Sequence, residues 1–231
     1  MSVFKNEPWV RPAAQVVYPE RDGRPVAETD VHIEQLLELR ETLAWHFRDD
    51  PQVYVSGNLL LYYVEGDPNE RVSPDVFVVF GVPKGQRRIY KVWEEGKGPD
   101  VVFEITSRGT RREDLGNKKL IYADLGVKEY FLFDPLGEYL QPPLQGFRLT
   151  PSGYEPMQGE PLVSELLGLT LKVEEGRLRL YDRRTGQRLL NYTEAQILAQ
   201  EAKAAAASAA AEIARLRAEL ERLRGGTPAE P

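Results

Sequence analysis

Ser73-Pro74-Asp75-Val76-Phe77-Val78-Val79-Phe80, Val101-Val102-Phe103-Glu104-Ile105-Thr106-Ser107 and Glu129-Tyr130-Phe131-Leu132-Phe133-Asp134-Pro135 are apolar runs lying close together in the chain. Each is short, rich in β-branched and aromatic residues, and bounded by turn-forming residues, which is how a buried strand reads. Pro74 opens the first run, where no ladder donor is needed. Asp134-Pro135 stops the last. The second run carries almost no polar side chain except Glu104, so its strand is expected to be covered on both faces.

Working outward, a helix is expected over roughly 111–125, ending at Gly126, a natural residue for the position just past a helix. Before the first run, Val53 to Val64 reads as one long strand with Gly57 as a bulge or a close approach. Gly66-Asp67-Pro68-Asn69 follows as a turn. Earlier still, Thr29 and Asp30 are good N-cap residues. After them Ile33, Leu36, Leu37, Leu43, Ala44 and Phe47 recur at helical spacing, predicting an amphipathic helix over about 31–48. The order helix, strands, helix, strand predicts a mixed α/β sheet with helices packed on it.

Four regions follow from this reading. Residues 1–26, punctuated by Pro8, Pro12, Pro19 and Pro25, read as an extended arm. Residues 27–192 read as one α/β domain, with a core over about 27–135 and a β-rich extension over 136–192 that covers or lengthens the sheet. Residues 193–225 are Ala-rich and laced with Glu and Arg, all good helix formers, and 226–231 form a tail. In the helix, Ile213, Leu216, Leu220 and Leu223 alternate spacings of three and four, the seam of a coiled coil. Self-association through it, giving a homo-oligomer and foremost a dimer, is the leading expectation. A solvated single helix or docking on another protein are the alternatives.

The chain has 231 residues, no cysteine and a net charge of −6. A disulfide framework, a thiolate nucleophile and Cys-ligated zinc are thereby excluded. The charge argues against indiscriminate nucleic-acid binding but leaves room for a local basic cleft. His32 and His46 are too few for a His-rich metal site, and without ligand-spaced partners both read as surface or packing residues. With no signal core and no long apolar span, the expected location is cytoplasmic, away from membranes.

A carboxylate inside an apolar strand is rare unless it is paired or bound to a metal. Glu104 is such a residue, and Asp75 begins the neighbouring strand in a similar setting. Phosphodiester hydrolysis needs a hard cation held by few protein oxygens, and Mg²⁺ keeps several waters, so two carboxylates and a carbonyl suffice. On the helix, Leu115, Ile121, Tyr122 and Leu125 define an apolar arc. Lys118 falls near its centre and Asp114 inside it, whereas Lys119 lies roughly 95° away on the helical wheel. A lysine in a core-facing stripe wants a partner, and Asp75, Glu104 or a phosphate beside them would serve. A structural Asp114–Lys118 pair one turn apart is the other reading.

More phrases in the same order carry a resemblance: Pro25-Val26-Ala27-Glu28-Thr29-Asp30, Val55-Ser56-Gly57-Asn58-Leu59 and Arg88-Ile89-Tyr90-Lys91-Val92-Trp93-Glu94-Glu95-Gly96. Gly126-Val127-Lys128-Glu129 then leads into the last strand. With these, residues 24–192 resemble the Uma-two family of endonucleases, within the PD-(D/E)XK or restriction-endonuclease-like superfamily. The resemblance implies that fold, a Mg²⁺- or Mn²⁺-dependent endonuclease activity expected to act on DNA, and no small-molecule cofactor; a non-catalytic nucleic-acid-binding or defence-associated module of the same fold, and an assembly protein acting through its coiled coil, are the alternatives. It implies Asp75 and Glu104 as metal ligands with the Ile105 carbonyl, and Lys118 as the third catalytic residue. The superfamily's lysine usually stands two residues after the glutamate; Thr106 is there instead, and Lys118 on the following helix takes the part.

Accessory roles are open for Glu28, either at the metal or at the helix terminus, and for Asp114. Lys84, Arg87, Arg88 and Lys91, with Tyr90 and Trp93, form a basic-aromatic segment that reads either as a nucleic-acid contact or as a solvated loop. Arg108, Arg111 and Arg112 would add phosphate contacts at a helix N-terminus.

Overall fold

The computed structural model describes residues 16–21, 29–107 and 116–225. It divides into two units, one ending at Leu189 and one starting at Leu190.

The first unit is built on a six-stranded mixed sheet. Its strands, in spatial order, are β1 (Val53–Ser56), β4 (Val76–Phe80), β6 (Val101–Ile105), β7 (Glu129–Phe133), β8 (Leu144–Thr150) and β9 (Gly153–Pro156). The apolar runs become β4, β6 and β7, and every residue of β6 and β7 is buried. β6 and β7 are parallel, so the chain must cross over between them, and helix α3 (Asn117–Asp124) lies on that crossover. Gly126, with φ of +74°, supplies the left-handed residue after α3.

Alternation along the strands sends side chains to opposite faces. One face carries Val76, Val78, Val101, Phe103 and Ile105 against Leu36, Leu39 and Leu43 of helix α1 (Asp30–His46). A three-stranded sheet of β10 (Leu162–Ser164), β11 (Leu169–Glu174) and β12 (Arg177–Asp182) covers the rest of that face. The other face carries Phe77, Val102, Tyr130 and Leu132 against Tyr122 of α3 and Leu61, Val72 and Tyr90. The last three belong to a small sheet of β3 (Arg71–Val72), β2 (Leu61–Tyr62) and β5 (Tyr90–Lys91). The expected β-rich extension thus splits in two: β8 and β9 lengthen the main sheet, while β10–β12 form a sheet of their own.

Two expectations are corrected. The long strand over Val53–Val64 is interrupted after Ser56: a Cβ on Gly57 would lie 2.2 Å from the Asp75 carbonyl oxygen, and Asn58 turns left-handed at φ +48°. The chain then joins the small sheet instead of continuing the large one. On α1, Ile33 and Leu37 face solvent, and the buried stripe is His32, Gln35, Leu36, Leu39, Thr42 and Leu43. Polar residues with partners displaced apolar ones: the Gln35 Oε1 accepts the Leu178 N–H at 3.3 Å. Thr29 caps the helix as expected, its hydroxyl accepting the His32 N–H.

Of the N-terminal arm, residues 16–21 are described and contain no helix. Tyr18 lies edge-on to Tyr62 at 5.0 Å, and the Tyr62 hydroxyl donates to the Pro19 carbonyl. The excursion between β4 and β6 contains a short helix, α2 (Val92–Glu95), that the sequence did not suggest.

The second unit is one helix, α4 (Tyr192–Gly225), its start capped by Asn191, whose side chain accepts the Glu194 N–H at 2.8 Å. Among the described residues, no helix is long and apolar enough to cross a membrane.

Candidate active site

β4 runs antiparallel to β6 with Val76 opposite Phe103, so the start of β4 lies beside the end of β6. Carrying this register one step further sets Asp75 across from Glu104, and a second step sets Pro74 across from Ile105. The Ser56-Gly57-Asn58 turn holds the start of β4 in place: Asn58 donates its N–H to the carbonyls of Pro74 and Asp75, at 2.9 and 3.2 Å. Any side chain at position 57 would collide with that backbone, which is why glycine stands there.

The Asp75 Oδ2 accepts the Ile105 N–H at 2.6 Å and lies 3.3 Å from the His32 Nε2. Its Oδ1 makes no hydrogen bond to the described residues, and it is not sealed from solvent. The next residue of β6, Thr106, donates its N–H to the Phe133 carbonyl on β7. Amide groups alternate sides along a strand, so both the N–H and the C=O of Ile105 point toward β4. There the residue in register is Pro74, which has no N–H to give the carbonyl.

Glu104 is 1% exposed. The Lys118 ammonium donates to its Oε2 at 2.9 Å and the Tyr122 hydroxyl to its Oε1 at 2.5 Å. Both donors come from α3, one turn apart on its sheet-facing side. Burial, reinforced by the negative charges of Glu104 and Asp75, pushes the Tyr122 hydroxyl well above its ordinary pKa. It therefore stays protonated and remains a donor to Glu104. Lys119 points elsewhere: its ammonium sits 3.5 Å above the Phe147 ring, and burial lowers its pKa.

Thr106 completes the cluster. It is 3% exposed, and strand alternation sends its side chain to the same face as Glu104. Its hydroxyl is buried without a hydrogen-bond partner among the described residues. A buried hydroxyl without a partner is costly, by about 1–3 kcal/mol, so a polar group belongs beside it.

The structure therefore brings Asp75, Glu104, Ile105 and Lys118 together at one edge of the β4/β6 pair. His32, Tyr122 and Thr106 were not singled out as site residues from the sequence. His32 is buried on the packed stripe of α1, in keeping with its reading as a packing residue, and in addition touches Asp75. Its signal was its place on one stripe with Leu36, Leu39 and Leu43; that of Tyr122 was its spacing of four from Lys118. Glu28, Asp114, Arg108, Arg111 and Arg112 lie outside the described residues.

The basic-aromatic segment is largely spent on its own chain. Arg87 forms a two-pronged ion pair with Glu95, at 2.6 and 2.9 Å, and lies 4.0 Å over the Tyr54 ring. Lys84 donates to the carbonyls of Phe47 and Arg48. Arg88 pairs with Glu20 and Lys91 with Glu94; both acids are themselves largely exposed. Tyr90 is buried, its hydroxyl donating to the Lys97 carbonyl.

A cation's fit rests on these oxygens. Among the described residues no cluster of three or more His, Cys, Asp or Glu side chains is arranged to hold a metal. Two carboxylates and one carbonyl with an orphan hydroxyl beside them suit a hard ion that keeps its own waters, and do not suit zinc.

No curated protein matches the chain. Among solved structures it is similar to the crystal structure of a putative nuclease belonging to DUF820 from Anabaena variabilis ATCC 29413, at 16% identity and a TM-score of 0.48. That match covers 64% of this chain and 81% of the other. The family pattern described as "Uma2: Putative restriction endonuclease" matches residues 10–210, most of the chain. The protein is accordingly a member of the Uma2 family.

Proposed function

We propose that the protein is a Mg²⁺- or Mn²⁺-dependent endonuclease of PD-(D/E)XK type that hydrolyses phosphodiester bonds in DNA. The observation that carries this reading is the juxtaposition of Asp75, just before β4 and bonded to the Ile105 N–H, with Glu104 on β6, which carries the Lys118 ammonium. Family membership supports the nuclease part.

Asp75, Glu104 and the Ile105 carbonyl would hold the ion, which when bound offsets phosphate charge and lowers the pKa of a water. The chain's own residues prepare that place. The Ile105 N–H and His32 fix the Asp75 carboxylate through one oxygen and leave the other to face a ligand. Tyr122, held protonated, orients Glu104 by donating to its Oε1. Lys118, 11% exposed, stands where its ammonium can leave Glu104 partway and meet negative charge growing on the phosphate oxygens. Thr106 offers its unpartnered hydroxyl to a water or a phosphate oxygen at the same spot. Oligomerisation through α4 belongs to the same proposal.

Of the expected phosphate contacts, Arg88 and Lys91 remain within it, because their surface partners exchange readily for phosphate. Arg87 does not, being half of a shielded clamp with Glu95.

The test is titration of Mn²⁺ into wild type and Glu104→Gln by calorimetry, with cleavage of supercoiled plasmid by both. Binding and nicking by wild type, both lost in the variant, are expected. Absence of metal binding by the wild-type protein would overturn the ligand set. Metal binding without cleavage of plasmid, single-stranded DNA or RNA would overturn the activity.

A further inference from the structure

The seam of α4 extends well beyond its leucines. With Ile213 and Leu220 at the a positions and Leu216 and Leu223 at d, the same frame carried back to Tyr192 meets only alanine between them. None of the helix's ten Glu, Lys or Arg residues falls at a or d. The large seam residues are uncovered in a single chain: Ile213, Leu216, Leu220 and Leu223 are 51%, 52%, 48% and 70% exposed. A stripe of that kind is stable in water when a partner helix covers it.

We infer that α4 forms a parallel, in-register, two-stranded coiled coil with a second copy of this chain. The flanking charges select the partner and its direction. Glu212 and Glu219 occupy g positions, and Arg217 and Arg224 occupy e positions. In a parallel in-register pair, each g residue meets the e residue five places on in the partner helix. Glu212 then faces Arg217 of the second copy and Glu219 faces Arg224, twice over by symmetry. An antiparallel pair that kept Ile and Leu in contact would set Glu against Glu and Arg against Arg. One that slid these residues over the alanine half would lose their mutual packing. Ile213 at a with Leu216 at d, where the large seam residues begin, favours two strands over three or four. The Glu212–Arg215 pair within one helix is mostly exposed, and the carboxylate has acceptor sites left for a second cation.

Parallel pairing has a consequence that rests on the nuclease reading above. Both first units are joined covalently to the same end of the pair, at Leu190. Two active sites per particle are then tethered together, whereas antiparallel helices would put their attachment points about 50 Å apart.

Sedimentation equilibrium of the full chain tests the pairing without any appeal to catalysis. Wild type is expected to be a dimer. Glu212→Arg/Glu219→Arg should weaken self-association by about tenfold or more, and adding Arg217→Glu/Arg224→Glu should restore it. These residues lie on an exposed helix surface, and the fourfold variant has the wild-type composition, so a folding defect would show as failure of the rescue. Because the chain has no cysteine, Leu223→Cys should give a covalent dimer on oxidation only if the two ends lie together. A monomer at all concentrations, a dimer indifferent to the charge reversal, or one that Leu223→Cys does not cross-link would overturn the inference. On plasmid, the Glu212→Arg/Glu219→Arg protein should nick but rarely linearise. If no plasmid is cut by any protein, the nuclease reading fails while the mass measurements still decide the dimer.

Discussion

Asp100 and Glu104 flank β6 at its two ends, both buried and both paired with lysine, yet they do different things. At the Asp100 end the oxygens are saturated by groups of the fold: Oδ2 accepts from Lys97 at 2.6 Å and the Phe80 N–H at 2.8 Å, and Oδ1 from Lys128 at 3.1 Å. The cluster closes on itself and ties β4, β6 and the start of β7 together. Glu129 and Asp134 are buried in the same closed way, the latter collecting backbone N–H groups of the turn after β7. At the Glu104 end the described residues leave the cluster open. A second carboxylate stands in register, and neither one of its oxygens nor the buried Thr106 hydroxyl has a hydrogen-bond partner among the described residues. Burying charge beside charge and leaving a hydroxyl orphaned lowers stability, and such local conflicts concentrate where a ligand is to be received.

The difference can be broken most severely at Glu104. Glu104→Gln should lower plasmid cleavage by about 10³-fold while the protein still unfolds cooperatively in urea, followed by circular dichroism. Lys118→Met should cost about 10²-fold in the same cleavage assay, since it removes the charge stabilisation, and the ammonium on Glu104, while both carboxylates stay in the chain. Lys119→Met, one residue on, should leave cleavage within about twofold, its ammonium being spent on the Phe147 ring.

At the closed end the readout is stability. Asp100→Asn should destabilise by about 2 kcal/mol in urea titration, with cleavage by the folded fraction unchanged. Burial alone would raise the Asp100 pKa, but Lys97, the Phe80 N–H and Lys128 outweigh it and hold the carboxyl below its ordinary value. A carboxyl lowered in the folded state stabilises above its unfolded pKa, and that contribution is lost as pH falls through the folded one. Wild type should therefore lose stability below about pH 4 along a limb that Asp100→Asn partly removes.

The smallest effect sharpens the contrast. Thr106→Val replaces an unsatisfied hydroxyl by a methyl of the same shape. It should raise stability by about 1 kcal/mol while lowering cleavage, the opposite pattern to Asp100→Asn. A loss of stability on this change would mean that the hydroxyl has a partner in the folded protein.

Much of this was legible in the chain because it depends on neighbours in sequence. The apolar runs could only be buried strands, and Glu104 stood out as the polar member of one. Lys118 was legible because helical spacing is regular enough to say which of two adjacent lysines faces a core. The helix α1 was read correctly as amphipathic but on a face that included Ile33 and Leu37, which are exposed. Counting apolar residues cannot foresee that Gln35 will meet a β12 amide or that His32 will meet Asp75, because those partners lie far along the chain. The break after Ser56 was hidden for the same reason: Gly57 was visible as a close approach, but not the backbone that approaches it.

Local pattern, then, by itself determined the three buried strands β4, β6 and β7, that one carboxylate sits on a buried strand and a second just before its neighbour, and that the last helix has one apolar seam. Tertiary structure alone decided that Asp75 and Glu104 are adjacent, through an antiparallel register that sequence spacing does not encode. It alone made the Asp100 cluster closed and the Glu104 cluster open. A hydrogen bond between distant residues is set by how strands pair and helices land, and only the folded chain shows which donors each buried oxygen receives.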